Sequence, residues 1–150
     1  MFKINYYIAN SNVEKVSIID QMSLRYDMFL GGIVLTDRDN QIPFNWDWIP
    51  VLDFAFCLIT ILNKFLYGDS ENEEFEFTES ERKLYFVKEG NNINIRTSFS
   101  EDHLKVPFED FRFALYKFFE DVILNIYDKN PHLKNDSVFV NYLKKYHNSP

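Results

Sequence analysis

The sequence has little glycine, cysteine and histidine, and this scarcity removes several kinds of functional site. Its four glycines form no G-x-G-x-x-G run and no Walker A loop, so the usual backbone cradles for phosphate are missing. Cys57 is the single cysteine, which rules out an intrachain disulfide. The three histidines lie far apart and belong to no H-E-x-x-H motif or Cys/His cluster. We therefore predict no catalytic, cofactor-binding or metal-binding residue.

Positive charge is also scarce. Lysine and arginine total 16 against 23 aspartates and glutamates, for a net charge of −7. Nucleic acid is a poor partner for such a chain, because binding it needs clustered basic side chains that displace counterions. A basic protein is a better partner on electrostatic grounds. The first ten residues, MFKINYYIAN, lack the continuous apolar stretch of a signal peptide, so we expect a cytoplasmic location.

No hydrophobic run is long enough for a membrane span. The longest, IPVLDFAFCLITIL over residues 49–62, contains Asp53 and is followed by Asn63 and Lys64, whereas a span needs about 20 mostly apolar residues. We predict a central core helix over 47–66, with Asp47 as its N-cap and Gly68 after its end.

One narrow stripe of that helix is polar. Asp53, Cys57, Thr60 and Lys64 recur at helical spacing, so we expect this stripe to meet water and Asp53 to be the most exposed of the fourteen residues. Leu52, Ala55, Ile59 and Leu62 are expected to be buried. The competing interpretation is an acid–thiol pair of Asp53 and Cys57, which chemistry disfavours because a neighbouring carboxylate opposes thiolate formation.

Apolar residues make up 46% of the sequence and aromatic residues 18%, enough for one packed domain over residues 1–150. Alternating patterns predict a β-meander in the first third, including strands over 13–19 and 22–29 and a hairpin turn over 37–40. Further strands are predicted over 73–77, 83–87, 93–99 and 103–106, with a shared core face of Phe75, Phe77, Leu84, Phe86, Ile93 and Ile95. Helices are predicted over 107–127 and 137–146. The fold class is α+β: an antiparallel sheet of meanders with a central amphipathic helix and two C-terminal helices packed on one face.

Two surfaces are candidates for binding a partner. The first is the outward side of the 107–127 helix, where apolar side chains are interleaved with acidic ones. Its candidate residues are Asp110, Phe113, Glu120, Asp121 and Leu124. Exposure of Phe113 and Leu124 is one interpretation; the favoured one is that they pack under the C-terminal helix.

The second candidate surface is the acidic stretch around Glu73, Glu74 and Glu76, which runs from a loop into a strand. A solvated charge run is the favoured explanation for it. Trp46 and Trp48, beside the predicted helix start, are interpreted as core residues, with ligand stacking as the alternative.

The stretches FEFTESERKLYFVKEGNNINI and VPFEDFRFALYKFFEDVILNIYDKNPHL, with WIPVLDFAFCL before them, resemble small bacterial α+β proteins of unknown function. Some of those proteins are similar to immunity proteins of polymorphic toxin systems. The resemblance is one of layout and implies a non-enzymatic protein-binding module that neutralises a cognate toxin domain, which the charge suggests is basic. The alternatives are a small enzyme or ligand-binding protein, with a pocket between the 47–66 helix and the sheet, and a structural homo-oligomer.

Overall fold

The computed structural model describes residues 1–9, 28–68, 70–77 and 80–147. Residues 145–147 are described as backbone only. Over these residues the chain forms two antiparallel sheets, three α-helices and a short 3-10 helix. The α+β class predicted from the sequence is confirmed, with the meanders divided between two sheets. A strand expected over 13–19, and most of one expected over 22–29, lie outside the described residues.

The first sheet has the order β1-β2-β3 and contains β1 (Phe2–Ile8), β2 (Leu30–Asp37) and β3 (Asn40–Pro50). The predicted hairpin turn is confirmed between β2 and β3, where Arg38 adopts a left-handed φ of 56°. The pairing of β2 with β3 shifts register between Gly31 and Ile33, so residues 45–48 of β3 bulge out of the ladder.

The bulge is held by a side chain from the far strand of the sheet. Tyr7 of β1 lies across Gly32, and its hydroxyl donates to the carboxylate of Asp47 and contacts the Asn45 carbonyl oxygen at 3.3 Å. A Cβ on Gly32 would lie 2.6 Å from the Asn45 Cα and 2.7 Å from the Tyr7 ring, so only glycine fits there.

The first helix, α1, spans Val51–Leu66 and begins later than predicted. Residues 47–50 belong to β3, and Pro50 rather than Asp47 precedes the first turn. Asp47 is unsuited to capping because it sits in the bulge with φ 69°. Past the C-terminal end, Gly68 has φ 73°, the left-handed conformation expected of a glycine that terminates a helix.

The prediction for the polar stripe of α1 was wrong at its first residue. Asp53 is only 5% exposed, whereas Thr60 and Lys64 lie at the surface as expected and Cys57 is half-buried. The C-terminal helix covers Asp53, because Tyr142 packs on Phe56 with ring centroids 4.6 Å apart and its hydroxyl reaches the Asp53 Oδ1 at 3.3 Å.

The opposite side of α1 is buried as the sequence predicted. Leu52, Ala55, Ile59 and Leu62 are all 7% exposed or less.

The second sheet has the order β4-β5-β6-β7. Its strands are β4 (Asn72–Glu76), β5 (Lys83–Glu89), β6 (Asn92–Thr97) and β7 (His103–Pro107). The alternation predicted for its core face is confirmed, since all six expected residues are buried. They are Phe75, Phe77, Leu84, Phe86, Ile93 and Ile95.

Helix α2 spans Phe108–Lys129, a 3-10 helix follows at Pro131–Asn135, and helix α3 spans Ser137–His147. The N-terminus of α3 is capped by Asp136, whose Oδ1 accepts a hydrogen bond from the Phe139 N–H at 2.9 Å.

The core contains an aromatic cluster in which the layers meet at Phe54 of α1. The Phe54 ring lies 5.4 Å from Phe44 of β3, 4.9 Å from Phe75 of β4 and 6.2 Å from Phe118 of α2. One side chain therefore joins both sheets to the second helix.

Candidate functional site

The outward side of α2 carries large apolar side chains that the fold leaves uncovered. Phe113 and Leu124 are each 59% exposed, so the expectation that they pack under the C-terminal helix was wrong. The reason is that α3 packs on α1 through Tyr142, and beside Phe29 through Phe139, instead of on this side of α2. Four residues of this side lie at spacing i, i+4, i+7 and i+11, and we call them the outer stripe: Phe113, Lys117, Glu120 and Leu124.

The acidic candidates on α2 differ in their exposure and in their hydrogen bonding. Glu120 is exposed, and Asp110, in the first turn, is half-buried. Asp121 is exposed but accepts a hydrogen bond from the Tyr6 hydroxyl of β1 at 2.8 Å. Asp121 therefore also ties the helix to the first sheet.

That tie is reinforced by neighbouring side chains. The Asn125 amide donates to the Tyr6 hydroxyl at 3.3 Å, and the Tyr6 ring meets Phe118 edge-on at 5.4 Å. Burial, partly opposed by the Asn125 hydrogen bond and added to by the Asp121 carboxylate, raises the pKa of Tyr6 to about 12. The tyrosine consequently stays protonated and donates to Asp121 at neutral pH.

A groove of about 460 Å³ lies between β1 and α2, and we call it the edge groove. Its volume is within the range of ligand-binding clefts. One wall is formed by residues 1–6 in unbroken succession, and the other by one side of α2. The α2 residues are Phe113, Ala114, Lys117, Phe118 and Asp121. Phe113 and Lys117 belong to both surfaces, so the outer stripe forms the lip of the edge groove.

The acidic stretch on β4 is more neutralised than its sequence indicates. Glu73 turns toward α1 and pairs with Lys64 at 3.0 Å, whereas Glu74 faces outward and pairs with Lys83 of β5 at 3.2 Å. The hydrogen bond and charge of Glu74 raise the pKa of Lys83. Glu76 is exposed beside the same lysine. The three glutamates therefore do not share one surface, since Glu73 points away from the other two.

The two tryptophans stack on each other in the bulge of β3. Trp46 and Trp48 have ring centroids 5.2 Å apart with planes inclined by 19°, and both are half-buried. The Arg82 guanidinium lies 4.5 Å from the Trp46 centroid, and Phe77 and Phe99 approach that ring edge-on. The pair is therefore packed against the core at the rim of the domain, as the favoured interpretation held, although neither ring is fully buried.

Asp53 and Cys57 are near each other, with the Cys57 Sγ 3.8 Å from the Asp53 Oδ2. The carboxylate also meets the Tyr142 hydroxyl in a region where Phe54, Ala55 and Phe56 are at most 1% exposed. Asp53 is therefore enclosed by core packing, whereas Cys57 is partly exposed.

Within the described residues, no three His, Cys, Asp or Glu side chains gather as a metal site would require. Among the helices that the structure describes, none is long and apolar enough to cross a membrane. No protein-family model, curated protein or solved structure matches this chain.

Sequence reasoning identified the α2 residues of this region but missed the part played by β1. The strand itself is visible as an apolar and aromatic pattern at residues 2–9. Its position beside α2 is set by long-range contacts such as Phe2 with Phe111, whose rings are 6.0 Å apart. No local signal in the sequence reports such a contact.

Proposed function

We propose that this chain is a non-enzymatic protein-binding module that works in the cytoplasm. The observation that carries the proposal is the outer stripe, where Phe113 and Leu124 are each 59% exposed. Apolar side chains at this exposure contribute little to folding, and apolar groups set together with charged ones on one helix face suit a surface that binds another protein.

The charge of the molecule supports a basic partner. The net charge is −7, and Glu120 stands with Lys117 between the two apolar residues on the outer stripe, so the support comes from the charge of the whole molecule. Charge complementarity of this kind accelerates association and disfavours acidic competitors. We further propose that the partner is a basic toxin domain that this chain binds and neutralises, in the manner of the immunity proteins that its layout resembles.

The test is binding to the product of the neighbouring gene, measured by titration calorimetry with purified proteins. A variant with Phe113→Ser and Leu124→Ser should weaken binding at least tenfold. The matched control is Tyr67→Ser, because Tyr67 is 62% exposed but lies at the end of α1. Full affinity in the double variant, or an equal loss in the control, would refute the outer stripe as the binding surface.

A second variant separates the two acidic surfaces. Reversing the charge of Glu73, Glu74 and Glu76 to lysine should leave affinity less affected, because Glu73 and Glu74 already pair with lysines of this chain. A larger loss there than at Phe113 and Leu124 would move the proposed site to β4.

The alternative of a small enzyme or ligand-binding protein has weaker support. It requires a polar cavity between α1 and the sheet, near Asp53 or Trp48. Asp53 instead meets Tyr142 and Cys57, and Trp48 stacks on Trp46.

A further inference from the structure

The outer stripe is complementary to a second copy of itself that runs in the opposite direction. Its four residues follow one another at spacings of four, three and four, which is the spacing of the seam along which two α-helices pack. The midpoint of the stripe, halfway between Phe113 and Leu124, falls between Phe118 and Phe119. A two-fold axis at that midpoint makes two such helices antiparallel, and each residue then lies opposite the one equally far beyond the centre.

Both kinds of contact in this arrangement are favourable. Phe113 meets Leu124 of the second copy, so two apolar side chains that are each 59% exposed in a single chain cover each other. Lys117 meets Glu120 of the second copy, which pairs an ammonium group with a carboxylate. The axis repeats each contact, so the stripe forms two apolar contacts and two ion pairs.

The two charged side chains of the outer stripe are available for these ion pairs. Lys117 and Glu120 are both exposed. Within the described residues, neither of them has an ion pair or a side-chain hydrogen bond in its own chain. The nearby Arg112 instead pairs with Glu109 of its own helix at 3.8 Å. An ion pair across the axis therefore breaks no ion pair within the chain.

Charge selects the antiparallel orientation. A parallel pair in register would set Lys117 against Lys117 and Glu120 against Glu120, and both contacts are repulsive. Glu109 and Asp128 come to the same level in the antiparallel pair, but they leave the helix on opposite flanks of the stripe and do not face each other. The net charge of −7 on each copy opposes association, although physiological salt screens it beyond about 8 Å.

We propose that two copies of this chain pair antiparallel through the outer stripe when the partner protein is absent. The partner and the second copy are then alternative occupants of one surface. That competition rests on the proposed function, whereas the pairing itself does not. One helix stripe from each copy is a small contact for a specific interface, so the self-association is weak and a partner that buries a larger surface displaces the second copy.

The test is sedimentation equilibrium of the whole protein without a partner, from low micromolar to millimolar concentration. The wild type should pass from monomer to dimer. Lys117→Glu and Glu120→Lys each place like charges opposite each other, so each should weaken dimerisation at least tenfold. The matched control for Lys117→Glu is Lys105→Glu, because Lys105 is an exposed lysine on β7 and the change in net charge is the same. Glu120→Lys lowers the net negative charge, so a loss there cannot arise from general repulsion.

Two combinations identify the pairing. Lys117→Glu together with Glu120→Lys in one chain exchanges the signs of both ion pairs and should restore most of the wild-type affinity. An equimolar mixture of the two single variants should form a mixed dimer, because every charge then faces its opposite. A wild type that is monomeric at every concentration, or a double exchange that restores nothing, would overturn the proposal. A dimer that all these variants leave unchanged would also overturn it, because it would lie on another surface.

The outcome is separable from that of the proposed function. If the charge exchanges behave as expected but the product of the neighbouring gene binds equally well to Phe113→Ser with Leu124→Ser, the pairing stands and the proposed partner site fails. If that product binds at the outer stripe while the wild type alone is always monomeric, the binding module stands and the pairing fails. A complex with the product in which two copies remain paired would overturn the competition.

Discussion

Replacement of Phe54 by alanine tests how the layers of the fold are joined. Phe54 has no exposed surface, and its ring contacts Phe44, Phe75 and Phe118, one from each neighbouring layer. Truncation of a buried phenylalanine loses transfer free energy and leaves a cavity, at a cost of about 3–5 kcal/mol. A small domain has about 5–15 kcal/mol of stability, so Phe54→Ala should remove about a fifth or more of it.

The matched control is the same substitution on the surface of α2. Phe113→Ala should change the unfolding free energy by less than about 1 kcal/mol, because Phe113 is 59% exposed and alanine is the better helix former. The assay is urea unfolding followed by the fluorescence of Trp46 and Trp48, with the midpoint and the slope fitted separately.

Two results would refute this reasoning. A cost below about 1 kcal/mol for Phe54→Ala would show that the two sheets and α2 do not meet at this ring. A cost for Phe113→Ala close to that for Phe54→Ala would show that Phe113 is packed in the core, as the favoured interpretation of the sequence held, and would remove the outer stripe as a binding surface.

Three further predictions concern the first sheet and the last helix. Tyr6→Phe should reduce the loss of stability that the wild type shows as the pH rises from 10 to about 12, because the raised pKa of Tyr6 stabilises the fold only while the phenol is protonated; unfolding at a series of pH values measures it. Gly32→Ala should cost about 1–3 kcal/mol in urea unfolding, since the added Cβ meets backbone and the Tyr7 ring. Asp136→Ala should cost about 1 kcal/mol in thermal unfolding through loss of the cap on the Phe139 N–H, and serine at that position should restore most of it.

Each of these has a clear contrary result. Identical pH dependence in the wild type and Tyr6→Phe would show that Tyr6 is not held by burial and Asp121. A neutral Gly32→Ala would mean that Tyr7 does not lie across β2. A neutral Asp136→Ala would place the start of α3 elsewhere.

Sequence periodicity was sufficient for most of the fold. The alternation of Phe75, Phe77, Leu84 and Phe86 gave the core face of the second sheet, because the strand period of two is a local property. The buried side of α1 was predictable for the same reason. The hairpin turn near Arg38 followed from local turn chemistry.

The errors occurred where a distant segment decides the environment of a residue. Asp53 has the spacing of a solvated helix stripe, but α3 brings Tyr142 over it from 89 residues away in the sequence. Phe113 is a large apolar residue of the kind that packs under a neighbouring helix. The last helix instead contacts α1 through Tyr142 and leaves Phe113 exposed. Aspartate is a common N-cap residue, but Asp47 belongs to β3, in the bulge that the Tyr7 hydrogen bond holds.

In the candidate site, too, local features were predictable from the sequence and long-range ones were not. The α2 residues were predictable from helical spacing, whereas the edge groove required the pairing of β1 with β2 and the contact of Tyr6 with Asp121 across 115 residues. Neither the edge position of a strand nor the width of a groove has a local sequence signature.

A protein partner is proposed to bind at the outer stripe of α2, and this is the central claim. The most direct measurement is photocrosslinking in the native cell with p-benzoylphenylalanine placed singly at Phe113, at Tyr67 and at Tyr85. Tyr67 is a comparably exposed aromatic position immediately after α1, and Tyr85 lies on the outer face of the second sheet. One discrete adduct is expected from position 113 and none from 67 or 85. An adduct from position 85 with none from position 113 would contradict the claim.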